Sequence, residues 1–114
     1  MIFSPDDFDG DWYGYLTNQS GHAYLVGCPA ALIVSPWWGL VAAPAVIGLC
    51  YAIVWEWMVQ RGRDWRDSLE DSVHVTAGAS AICAALSGDV ATVAGCLAAQ
   101  GVLLMVGIYR RVRP

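Results

Sequence analysis

Lysine is absent from this chain of 114 residues, and its six cations are all arginines, in two groups: Arg61, Arg63 and Arg66, then Arg110, Arg111 and Arg113. No basic face able to track a phosphate backbone exists outside those groups, which argues against non-specific nucleic-acid binding. Charge of either sign is scarce as well, at 14 % of residues, against about 25 % in ordinary soluble domains. Cysteine pairs at zinc-finger spacing are missing. Cys28, Cys50, Cys83 and Cys96 each sit alone in an apolar stretch, where they read as small hydrophobes. The segment Met-Ile-Phe-Ser-Pro-Asp-Asp lacks the positive region of a secretory signal, so the first apolar stretch is expected to be retained.

Apolar sequence is what the chain has in excess. Hydrophobic residues reach 57 % and the mean hydropathy is +0.48, values of a polytopic membrane protein rather than a soluble domain. The formal net charge of −4 does not contradict this, because most carboxylates lie before Trp12 or between Asp64 and Asp71.

The pattern predicts an all-α fold, an integral membrane four-helix bundle with short loops. An acidic N-terminal segment (1–12) precedes a transmembrane domain (13–110) with helices over 13–34, 40–59, 65–86 and 90–109, and a basic tail (111–114) follows. Ser35-Pro36-Trp37-Trp38-Gly39 reads as a break, Arg61-Gly62-Arg63-Asp64 as a turn, and Ser87-Gly88-Asp89 as a tight turn. Asp64 and Asp89 read as helix N-caps, while Pro29 and Pro44 are expected to kink their helices. His22 and Pro29 interrupt the first helix, so a re-entrant or interfacial course is an alternative for it. With four spans, both termini and the 60–66 turn share one side. All six arginines fall there, and the positive-inside rule makes it the cytoplasmic side of a bacterial inner membrane.

Between the second and third helices runs a polar ladder: Glu56, Gln60, Arg63, Asp67, Asp71, His74 and Gly78. Ionisable groups at a membrane edge are costly and mark a site or an orientation signal. On a helix from Trp65, residues Asp67, Asp71, His74 and Gly78 fall at spacings of four, three and four, which places them in one stripe with Glu70 beside it. Asn18 and His22 repeat the spacing on the first helix, so three helices present acid, amide and imidazole groups at one depth. Such a cluster could ligate a divalent cation, with Asp67, Asp71 and His74 as the core set. It could also do acid–base work on a lipid headgroup, hold a phosphate through Arg63, or form an inter-helix lock. Gln100, deep in the fourth helix, is expected to bond across helices. Small residues recur at four-residue spacing, Ala77, Ala81 and Ala85 on the third helix and Ala91, Gly95 and Ala99 on the fourth. With Gly78 these predict close packing within the bundle, or contact between copies in a homo-oligomer or larger membrane complex.

Glu56-x3-Gln60 followed by Arg63, Asp67, Asp71 and Gly78 resembles the signature of VanZ-like membrane proteins. That family's first helix opens with a polar group and a histidine, as Asn18 and His22 do here. The chain departs from the pattern at Val75, where the family often carries asparagine, and at Asn18-Gln19, where it has an acidic residue or lysine. The resemblance implies a membrane protein acting near the cell envelope, without an agreed reaction. Three functional readings follow: a site that binds an ion, headgroup or partner; a holin-like or accessory protein of phage type that works by self-association; and a small lipid-modifying enzyme. The lipid bilayer is the partner common to all three.

Overall fold

Asp11 opens the first helix by accepting the Gly14 amide at its Oδ1, 2.8 Å away, the capping role that aspartate favours. The computed structural model describes residues 8–60 and 65–112, with the side chains of Glu56, Val59 and Gln60 outside that description. Helix α1 (Trp12–Gly21) continues through a π-helical turn (His22–Gly27) into α2 (Cys28–Val54), which ends in a second π-helical turn (Trp55–Gln60). Helices α3 (Trp65–Leu86) and α4 (Val90–Val112) complete the chain, and no strand occurs among the described residues. The predicted caps divide accordingly: Asp64 lies outside the described residues, and Asp89 caps α4 through the Thr92 amide at 3.0 Å.

Local chemistry accounts for the irregularities. Proline at 29 cannot donate to the carbonyl four residues back, and its ring crowds that carbonyl. The widened turn just before it answers this, with the Cys28 amide reaching Ala23 O. The proline therefore displaces hydrogen bonds into a π turn, one of the recognised irregularities by which a helix accommodates a break in its ladder. The anticipated break at Ser35–Gly39 is narrower than expected. Ser35 to Trp38 stay helical, and only Gly39 leaves helical geometry, at φ 81° and ψ 163°. That region of backbone space is essentially reserved for glycine.

At Gly39 the chain turns back. The stretch Trp12–Val54 has 43 residues and would measure about 64 Å as one straight helix, yet the molecule's longest dimension is 42 Å. The contacts show the reversal: Ala31 and Ala43 share one core cluster with Val75, Ala79 and Cys83, and the His22 and Tyr51 rings meet edge to face at 5.7 Å. Both arms lie on α3. A Cβ added at Gly27 would strike the Val75 carbonyl, and one at Gly78 would strike the Ala23 backbone, so two glycines set the closest helix approach. Ser72 Oγ donates to Gly48 O at 2.8 Å on the other arm, a backbone contact of the kind that holds helices together in lipid.

Two helical stretches, Trp12–Val54 and Val90–Val112, are long and apolar enough to cross a membrane. The third does not reach that hydropathy because it carries the polar ladder. Of the residues expected to pack helices, Gly78 and Ala81 are buried, whereas Ala85, Gly95 and Ala99 are exposed. For those three the expectation of burial within the chain is corrected: Ala85 is exposed near the end of α3, and on α4 Ala99 borders an open groove while Gly95 has no atom within 4 Å of a would-be Cβ. The tail also starts later than expected, since α4 runs to Val112.

Candidate functional site at the arginine-rich end

Tyr15, Gln19 and His22 follow one another at spacings of four and three, so they share a face of the first helix. That face meets α3 at Glu70, Asp71 and His74. Asp71 is the hub: its Oδ1 accepts from Gln19 Nε2 at 2.9 Å, and its Oδ2 lies 3.4 Å from His22 Nε2. The other ring nitrogen, His22 Nδ1, sits 2.8 Å from the backbone carbonyl of Asn18. A carbonyl can only accept, so Nδ1 carries a proton and donates it. Nε2 and a carboxylate oxygen would then oppose lone pair to lone pair unless one further proton lies between them. With that proton in place, histidine and aspartate tie the π turn to α3.

A neighbouring group engages α4. Tyr15 donates its hydroxyl to Glu70 Oε1 at 2.7 Å, and the Arg111 guanidinium lies 3.7 Å from the centre of the Tyr15 ring. Arg111 also reaches Glu70 Oε2 at 4.0 Å and donates to Gly107 O at 3.1 Å. Arginine is suited to this double use, because its planar cation stacks and donates at once. Gly107 leaves the space: a Cβ there would run into the Tyr15 ring. His74 closes the group, its Nδ1 2.7 Å from Gln100 Nε2 and its ring edge-on to Tyr15 at 6.4 Å.

Asp71 and His74 do not act together. Three residues turn a helix through about 300°, leaving about 60° between the two side chains. Asp71 meets the first helix and its π turn, while His74 meets α4. The metal set of Asp67, Asp71 and His74 is corrected on the same ground: among the described residues, no three His, Cys, Asp or Glu side chains converge as a metal would need. Of the other anticipated site residues, His22 joins Asp71 directly. Asn18 contributes its carbonyl, and Gly78 lies one turn deeper against Ala23. The side chains of Glu56 and Gln60, and all of Arg63, lie outside the described residues.

A cavity of about 340 Å³ opens beside the pair, between the two arms of the helical hairpin. His22, Asn18, Tyr51 and Trp55 line it, and Leu25 and Val26 form part of its wall. Tyr51 stacks on Trp55 at 5.7 Å, and its hydroxyl is buried without a hydrogen-bond partner among the described residues. A buried unpaired hydroxyl is costly, and this one belongs to a side chain that lines the cavity.

Sequence reasoning overlooked Tyr15, Gln19 and Arg111 as site residues. Tyr15 reads as an interfacial aromatic, Gln19 as a departure from the family pattern, and Arg111 as part of a topology signal. Their spacing with His22 was the available clue, since 15, 19 and 22 repeat the stripe of 67, 71 and 74. No family model matches the chain, and neither a curated protein nor a solved structure does.

Proposed function

We propose that the chain is a multi-pass protein of the bacterial inner membrane, a four-helix bundle with both termini on the cytoplasmic side. Its Asp71–His22 site, at the cytoplasmic end, holds the helices in register and receives a polar group, such as a headgroup or an ion, from the adjoining cavity. The membrane part rests on inverted polarity. Val41 is 96 % exposed, Trp37 85 % and Leu25 79 %, whereas Tyr15 and His74 are 1 % exposed and Gln19 2 %. A soluble protein does not cover itself with large apolar side chains around a polar interior, but lipid is an apolar solvent in which polar groups turn inward. The fold-back at Gly39 supports four spans, and Tyr15 touching Arg111 supports termini at one end. Trp37 and Trp38 at the hairpin tip suit the opposite interface.

The single observation that carries the site is the Asp71 carboxylate, 3 % exposed, bound to Gln19 and His22 beside a cavity lined by Tyr51, whose buried hydroxyl has no partner among the described residues. Purified wild type, Asp71→Asn, His22→Ala and Tyr51→Phe test it, by thermal unfolding, bound-lipid analysis and metal analysis together. The reading expects Asp71→Asn and His22→Ala to lower the unfolding midpoint, and Tyr51→Phe to keep the midpoint while reducing bound ligand. Unchanged midpoints and unchanged bound material in all three would remove both the site and the lock. Glu56, Gln60 and Arg63 belong to the proposed site through their place in the polar ladder and through the VanZ-like pattern.

A second reading has one specific observation in its favour. The outward small face of α4, with Ala91, Gly95 and Ala99 exposed, suits self-association of the holin kind. Enlarging Gly95 would abolish function on that reading and leave a site-based protein active.

A further inference from the structure

The α3–α4 interface carries a groove that the Asp71 site does not use. At the arginine-rich end it is a cavity of about 430 Å³ bordered by Arg66 and Arg110, with Trp65 beside them. Leu69, Val73, Leu103 and Val106 form its apolar walls, and all four are exposed on the outer surface. Deeper between the same helices lies a second cavity of about 340 Å³, which shares Val73 and Leu103 with the first. The shared walls make one groove of the two. Small side chains, Ala77, Ser80 and Ala99, keep the deeper half open. From Arg66 to Ser80 the groove follows α3 for about 21 Å at 1.5 Å per residue, somewhat more than half of a hydrocarbon core about 30 Å thick.

The geometry points to a binding site for an anionic phospholipid, its phosphate between Arg66 and Arg110 and one acyl chain along the α3–α4 groove. Charge complementarity selects the occupant. Basic pockets between transmembrane helices on the cytoplasmic side hold anionic headgroups, and arginine matches the fork of a phosphate. The acidic neighbour Glu70 faces the additional cation of Arg111, 4.0 Å away, so its charge is offset by an arginine other than the two at the mouth. Arg110 makes no ion pair with the described residues. The groove also gives the exposed Ala99 a role that packing within the chain does not.

This inference rests on the membrane reading, and the experiment separates the two. The full chain is reconstituted in vesicles of phosphatidylglycerol and phosphatidylethanolamine, and flotation with carbonate-resistant insertion reports membrane integration by itself. Native mass spectrometry of the extracted protein then counts bound lipids. Wild type retains phosphatidylglycerol above its share of the vesicle. Arg66→Gln and Arg110→Gln each lower that preference by roughly five-fold, and the Arg→Lys variants keep most of it. Ala99→Phe, which fills the deeper groove, lowers retention of either lipid without changing insertion. A protein that inserts yet binds both lipids alike, or whose preference survives the double Arg→Gln change, overturns the site. So does a dimer that retains no lipid, since a second copy would then occupy the groove. Failure to insert overturns the membrane reading itself.

Discussion

Helices α3 and α4 differ by one residue in length, 22 against 23, and by almost everything else. α3 buries ten residues, among them Asp71, Ser68, Ser72 and His74, whereas α4 buries only Gln100 and Gly107. By hydropathy, α4 qualifies as a membrane span and α3 does not. By enclosure the order reverses, because α3 is the element that both arms of the hairpin and α4 pack against. Hydropathy measures what a helix would face alone, and a helix surrounded by others no longer faces the solvent. On the membrane reading, burial of apolar surface gives no net drive between helices, and an enclosed helix that carries hydrogen-bonding groups is what that reading expects. The comparison teaches that the least membrane-like helix of this chain is its centre.

The comparison breaks most sharply at matched glycines. Gly78→Leu on α3 would drive a side chain into the Ala23 backbone, where no flexible group can give way. We expect a loss of about 3 kcal/mol or more in unfolding free energy, or no folded protein. Gly95→Leu on α4 meets open space and should fall within about 0.5 kcal/mol of wild type. Unfolding in mixed detergent measures both, and equal losses would show that α3 is not the enclosed helix.

Polar partners sharpen the contrast on a smaller scale. Asp71→Ala leaves the Gln19 amide and the His22 ring without their shared acceptor, and should cost about 1–3 kcal/mol. On α4, Gln100→Leu removes the bond to His74 but also removes a buried carbonyl oxygen that has no partner among the described residues. Its expected cost is nearer the ~0.6 kcal/mol average for hydrogen bonds between membrane helices. A cost at Gln100 equal to that at Asp71 would remove the contrast. A double-mutant cycle between the positions would then show whether the two polar groups are coupled.

How much of this was legible in the sequence follows from the same physics. The end of α3 and the turn Ser87-Gly88-Asp89 could be read because glycine and aspartate act locally, through backbone freedom and capping. Gly39 stood within the expected break, though only the structure narrows that break to one residue. The partners of the ladder could not be read. Spacing puts Asp71 and His74 in one stripe, but the rotation of α3 decides which neighbour each meets, and that depends on contacts with residues about 50 positions away, such as Gln19. Tyr15 and Gln19 were hidden for the same reason: nothing local distinguishes a tyrosine at a lipid headgroup from one donating to a glutamate on another helix. The outward face of Gly95 and Ala99 was equally illegible, since small residues at four-residue spacing describe an approach without naming the partner.

The smallest expected effect lies at the turn joining the two helices. Asp89 accepts the Thr92 amide and also the Thr92 hydroxyl, and these bonds hold its carboxyl below its ordinary value of 3.8. A depressed folded-state value means that the charged form is favoured by folding. The contribution is therefore present above the unfolded value and is lost as pH falls through the lower, folded one. Other carboxylates titrate in the same range, so the informative quantity is the gap between wild type and Asp89→Asn, which keeps an acceptor but has no charge to lose. A small gap should stand at neutral pH, where the charge also favours the N-terminal end of α4 through its dipole, and should close as the solution is taken well below pH 3.8. Thermal unfolding in detergent at stepped pH measures it. A gap that stays constant to low pH would assign the difference to shape rather than charge. A gap as large as that of Asp71→Ala would mean that the turn, rather than the enclosed end of α3, holds the two helices together.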